Sequence, residues 1–151
     1  MSDQEAFERA LEALGHKERT QRELEEWLAA RGFDADEVEA TLSRLIEVGE
    51  LDDARFARRY AEDKRELRGW GPERIRSALQ ARGVDSADIE AALGSEDHGD
   101  QLERAVSLLR RRSDALDEEA GRSRALAYLT RRGYDYEVAY DAVRRCEREA
   151  A

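Results

Sequence analysis

Large apolar residues recur along this chain at intervals of three and four, with charged residues between them, from Phe7 to Cys146. A helix turns every 3.6 residues, so this spacing gathers them on one helical face. Phe7, Ala10, Leu11 and Leu14 form the first set, Leu24, Trp27 and Leu28 the second, and Val38, Thr41, Leu42 and Leu45 the third. No alternating run rich in Val, Ile and Thr occurs. The pattern therefore predicts helices throughout and argues against a sheet-based nucleotide fold.

The pattern also repeats. Leu24–Asp34 (LEEWLAARGFD), Ile75–Asp85 (IRSALQARGVD) and Ala125–Asp135 (ALAYLTRRGYD) align without gaps, and their Arg-Gly pairs lie 51 and 50 residues apart. Trp27, Ala78 and Tyr128 correspond, as do Leu28, Leu79 and Leu129. Each phrase reads as a helix ended by a glycine in the left-handed conformation, followed at once by another helix. Ile89, Ala92 and Leu93 line that following helix in the second repeat, and Ala139, Ala142, Val143 and Cys146 line it in the third. A leading helix carries Phe56, Ala57 and Tyr60 in the second repeat, and Leu102, Ala105, Val106 and Leu109 in the third. Start signals agree: Thr20 with Glu23 and Asp34 with Glu37 have capping-box spacing, and Pro72 suits a first helical position. The expected fold is all-α, three tandem three-helix repeats at residues 1–50, 51–96 and 97–151. A single unit of about 50 residues buries little apolar surface, so the repeats should lean on one another in an elongated, curved array.

Composition narrows the function. Of 151 residues 41% are charged, yet 24 alanines and the helical periodicity argue for folded helices with thin cores rather than disorder. The chain has no apolar run of membrane-spanning length, and its N-terminus lacks the basic and apolar regions of a secretory signal, so a cytoplasmic protein is expected. One cysteine and two histidines assemble neither an internal disulfide nor a zinc ligand set, and Cys146 reads as a core residue. No glycine-rich loop ends in Gly-Lys-Ser/Thr, and neither His16 nor His98 has a nucleophile or acid partner in a motif. Of the Asp52-Asp53 pair, Asp52 stands where a helix cap is needed. The expectation is a protein without catalytic residues, metal or cofactor.

Charge is distributed unevenly. The formal total is −10, with −8 on residues 1–50, −2 on 51–99 and none net on 100–151. A basic surface is therefore sought beyond residue 50. Arg55, Arg58, Arg59 and Arg65 read as outward positions of the Phe56/Tyr60 helix, followed by Arg68, Trp70 and Arg74, with Arg110, Arg111 and Arg112 in the third repeat. Such clusters suit phosphate or an acidic protein surface, although Arg58–Glu62 and Arg59–Asp63 spacing also fits solvated ion pairs. Trp70, between two glycines, reads first as a turn residue packed on the core.

Residues 49–85, GELDDARFARRYAEDKRELRGWGPERIRSALQARGVD, resemble the signature of the RecX family of recombination regulators. Leu-Asp-Asp, Phe-Ala, a Tyr four residues after the Phe, basic residues, a glycine-containing turn, then Ile, Leu and a basic residue with Gly stand in that order. Arg19–Phe33 is similar to the family's first repeat and Arg132–Val138 to its third. The resemblance implies tandem three-helix repeats that bind RecA and its filament on single-stranded DNA, lying along the filament groove. There they would restrain ATP hydrolysis and strand exchange and favour disassembly. The ten basic-surface residues above are the expected filament contact, on a monomer whose direct hold on DNA is weak because of the −10 charge. The other reading is an autonomous DNA-binding module, since helix, glycine turn and second helix are similar to helix-turn-helix units.

Overall fold

The computed structural model describes residues 2–94 and 96–151. Among these residues there are nine helices and no strand: α1 (Asp3–His16), α2 (Gln21–Ala30), α3 (Ala35–Glu47), α4 (Asp53–Arg68), α5 (Pro72–Ala81), α6 (Ser86–Leu93), α7 (His98–Arg110), α8 (Glu119–Arg132) and α9 (Tyr136–Ala150). Their ends follow local chemistry. Thr20 with Glu23 and Asp34 with Glu37 close reciprocal capping boxes, and Asp97 with Asp100 forms a third. The Asp52 carboxylate accepts the Arg55 N–H at 3.1 Å, and Pro72 opens α5 where no donor is required. Gly32, Gly83 and Gly133 all take positive φ after their arginines, ending the middle helix of each triplet.

Three hydrophobic cores form, each within one helix triplet. In every triplet the first and third helices make the main contact, and the middle helix inserts two residues: Leu24 and Leu28, Ile75 and Leu79, Ala125 and Leu129, all fully buried. The helices of the aligned phrases thus occupy equivalent places in their units. Leu51 packs in the first core, with α1–α3. On α1 the buried positions are Ala6, Ala10 and Ala13, while Phe7, Leu11 and Leu14 are only partly covered. The buried face is thus turned from the one expected, with the alanines in the core and the larger residues at its margin. Cys146 is buried in the third core, and burial pushes its thiol above the ordinary value.

Unit two sits between units one and three, joined to each by the same parts. The start of α2 meets the end of α5: the Thr20 hydroxyl donates to the Arg82 carbonyl at 2.7 Å and the Arg22 guanidinium donates to that of Ala81. One repeat later the start of α5 meets the end of α8, where the Gly71 N–H donates to the Arg132 carbonyl at 2.8 Å and the Glu73 N–H to that of Gly133 at 2.9 Å. Donors at one helix start satisfy carbonyls left open at another helix end, and the amide-rich and carbonyl-rich poles face each other.

Candidate partner-binding cleft

The second of these junctions opens into a cleft of about 540 Å³, lined by Lys64, Arg68, Trp70, Arg74, Tyr128, Arg131 and Arg132. Five cations and two aromatic rings face it, and no carboxylate does. Local structure puts them there. Arg68 stands at the last residue of α4, and Gly69 at φ 66° turns the chain so that Trp70 is brought back to the Lys64 carbonyl, its N–H donating at 3.0 Å. Pro72 then starts α5 and sets Arg74 in its first turn. From the other side, α8 contributes Tyr128, Arg131 and Arg132 in its last two turns, where a helix end favours cations.

Three of these cations, Lys64, Arg74 and Arg132, are held by carbonyls and rings, which orient them without cancelling their charge. The Arg74 guanidinium lies 4.2 Å from the Trp70 ring centre and donates to the Arg131 carbonyl at 3.4 Å. Arg132 lies 5.2 Å from the Tyr128 ring and donates to the Arg68 carbonyl, and the Lys64 ammonium is 4.9 Å from Trp70. Cation–ring contacts of this kind contribute about 0.5–2 kcal/mol each while leaving the charge available to a ligand. Tyr134, buried behind the cleft, donates its hydroxyl to the Gly69 carbonyl at 3.1 Å, and burial pushes its phenol well above the ordinary value. A larger recess of about 920 Å³ adjoins, sharing Arg68, Tyr128 and Arg132, but there Glu62, Glu66, Glu96, Asp100 and Glu103 mix with the arginines.

The ten basic-surface positions expected from the sequence do not share one face. Arg68, Trp70 and Arg74 meet in the cleft, and Arg65, Arg68, Arg111 and Arg112 line the adjoining recess. Arg65 is not outward: its side chain is 12% exposed, 3.0 Å from Glu96, and donates to the Ala92 carbonyl at 2.8 Å. Glu96 follows α6 and is brought to α4 only by the α4–α6 packing, which local periodicity does not report. Arg59 pairs with Glu18 at 2.6 Å rather than with Asp63, and Arg55 donates to the Gly49 carbonyl at 3.1 Å; both line a recess at the first junction. Arg58 is exposed on α4. Arg110 pairs with Glu149 at 2.7 Å, and Arg112 pairs with Asp114 at 2.7 Å while lying over Tyr128 at 4.1 Å. Trp70 does pack, edge-on against Tyr60 at 6.4 Å, while still lining the cleft.

Sequence reasoning missed Lys64, Tyr128, Arg131 and Arg132. A signal existed in the repeat alignment: Trp27 and Arg31 stand where Tyr128 and Arg132 do, and Arg31 lies 3.6 Å from the Trp27 ring. An aromatic residue and an arginine four positions on, just before the glycine, form a stacked pair at both places.

Residues 6–45 match the family model for the first three-helix domain of RecX, and residues 52–93 match the model for its second. The chain belongs to the RecX family. A regulatory protein RecX of Stenotrophomonas maltophilia (strain R551-3) is 37% identical over 148 residues, covering 97% of this chain and 87% of that one. The RecX regulatory protein of Mycobacterium sp. (strain JLS) is 34% identical, covering 93% and 81%. In fold, the crystal structure of RecX from Lactobacillus salivarius superposes with a TM-score of 0.87 at 20% identity, covering 95% of each chain. These similarities support the all-helical array of three-helix repeats and a regulatory role for this RecX-family chain. Among the described residues no helix is long and apolar enough to cross a membrane.

Proposed function

We propose that this RecX-family chain binds RecA and its filament on single-stranded DNA through the cleft between units two and three, and there restrains ATP hydrolysis, strand exchange and filament growth. The observation that carries the reading is charge. In a chain of net −10, one cleft concentrates five cations with no carboxylate among its lining residues. A surface of that kind suits an acidic protein face or a phosphate backbone, and attracts it in a salt-dependent way. The chain acts by occupying a surface, as a cytoplasmic monomer without catalysis of its own. RecA-dependent ATPase on single-stranded DNA, with and without the chain, tests the reading: the rate should fall at near-stoichiometric amounts. No turnover of nucleotide should arise from the chain alone.

A second reading is favoured by one feature, the two aromatic rings among the cleft's cations. Trp70 and Tyr128 resemble the stacking surfaces on which single-stranded nucleic acid is held. In that case the chain would bind bare single-stranded DNA, and affinity would fall linearly with salt on a logarithmic scale. The acidic first unit, at −8, opposes this by repelling bare DNA, whereas a protein partner can tolerate it.

A further inference from the structure

We propose a divalent-cation site in unit three, away from the cleft, formed by His98, Glu137 and Asp141. One ligand atom from each of these side chains lies within 4.8 Å of the others. His98 is the first residue of α7, and Glu137 and Asp141 stand one turn apart on α9, so the main helix contact of the unit brings them together. His98 Nε2 and Asp141 Oδ2 are 3.4 Å apart. Two ligands bound to one tetrahedral ion at about 2.0–2.1 Å stand about 3.3 Å from each other, so this pair is already at ligand spacing. Glu137, exposed one turn before Asp141 on α9, brings the third ligand atom within the same 4.8 Å. The sequence expectation of no zinc ligand set weighed histidine and cysteine alone; two carboxylates complete the set.

An imidazole with two carboxylates is a donor set for zinc and similar first-row divalent ions, with water filling the open position. The two carboxylates supply the charge that offsets the ion. Binding would tie the start of α7 to the first turns of α9 and so stabilise unit three. The chain suits a clean test because its other histidine, His16, is in unit one and its one thiol, Cys146, is buried.

Zinc chloride is titrated into the full chain by calorimetry, alongside a thermal melt. One equivalent should bind, and the melting temperature should rise with zinc concentration. H98A and D141N should each weaken binding at least about tenfold, whereas H16A should leave it unchanged. E137Q, at an exposed position, should weaken it while preserving helicity by circular dichroism. Absence of saturable binding, or binding that survives H98A and D141N, overturns the proposal. Binding lost equally in H16A would also overturn it, since the ion would then lie elsewhere.

Discussion

The two junctions of the array join equivalent parts with different chemistry. At the first, side chains make the contact. Glu23 and Arg82 form a two-pronged ion pair at 2.9 Å, the Asp53 carboxylate accepts the Gln21 N–H at 3.0 Å, and Glu18 holds Arg59. At the second, the backbones touch. A Cβ on Gly71 would stand 2.5 Å from the Gly133 carbonyl carbon, and one on Gly133 would stand 2.6 Å from the Arg74 nitrogen. The recess between α1 and α4 at the first junction carries three acids and three arginines, and its counterpart between α4 and α7 at the second likewise mixes five acids with arginines. What sets the second junction apart is the separate cleft beside Gly71 and Gly133, lined by five cations and two aromatic rings. Where Gly71 and Gly133 let main chains meet, no carboxylate lines the cleft beside them; the carboxylate of this junction, Glu96, lies in the adjoining recess, bridging Arg65 of unit two and Arg104 of unit three.

The comparison is sharpened most by Gly71→Ala. The methyl group meets backbone, which cannot move aside as a flexible side chain would, so overpacking should cost on the order of 2–3 kcal/mol of unfolding free energy in urea. At the first junction Thr20 stands at the equivalent position, and Thr20→Ala should cost less, about 1–2 kcal/mol, through loss of a cap and an inter-unit hydrogen bond. If Gly71→Ala proves milder than Thr20→Ala, the second junction is not the tighter one.

Ion pairing gives the next effect. A double-mutant cycle on Glu23 and Arg82, both about one-third exposed, should return a coupling of about 1 kcal/mol that shrinks with added salt. The corresponding cut at the second junction, Tyr134→Phe, should cost about 1 kcal/mol with no salt dependence, because it removes a neutral hydrogen bond.

How much of this was legible depends on range in sequence. Caps at Thr20, Asp34 and Asp52, the start at Pro72 and the glycine ends are set by residues within four positions of one another, and all appear in the pattern. The repeat was legible because Leu28, Leu79 and Leu129 fill the same place in three cores. What was not legible came from contacts between residues distant in sequence. Arg65 looks exposed by helical phase until Glu96 arrives from beyond α6, and Lys64 gains its meaning only when α8 brings Tyr128 and Arg132 alongside. Asp53 is a further case. It sits beside the helix-capping Asp52, yet is buried at the first junction.

Asp53 provides the smallest expected effect. Burial pushes its carboxyl up, the Gln21 N–H offsets this in part, and the charges of Asp88, Asp85 and Asp52 push it further. A carboxyl raised on folding binds more protons folded than unfolded, so it lowers stability as pH rises from the ordinary Asp range of about 4 through its folded value. Asp53→Asn should therefore gain stability relative to the parent as pH rises through that window, and the two should converge below it. Glu23 works in the opposite sense. Burial raises it, but hydrogen bonds from Arg82 and the Thr20 N–H, with the Arg82 charge, outweigh that and hold it low. Its contribution is lost as pH falls through the lowered value. Melting curves across the acid range of Asp53→Asn and Glu23→Gln separate the two.

The partner contact proposed for the second junction's cleft rests on its cations. It is tested most directly by filament-binding titrations on RecA and single-stranded DNA with the double variant Arg68→Glu and Arg131→Glu. Both residues are exposed at the cleft, so helicity and melting temperature should change little. Reversal of Glu25 and Glu26 to lysine, on the exposed acidic side of unit one, is the comparison. The arginine variant should lose at least tenfold in affinity, about 1.4 kcal/mol or more, and the glutamate variant little. Retention of binding by the arginine variant with loss in the glutamate variant would place the contact on the acidic unit and contradict the proposal.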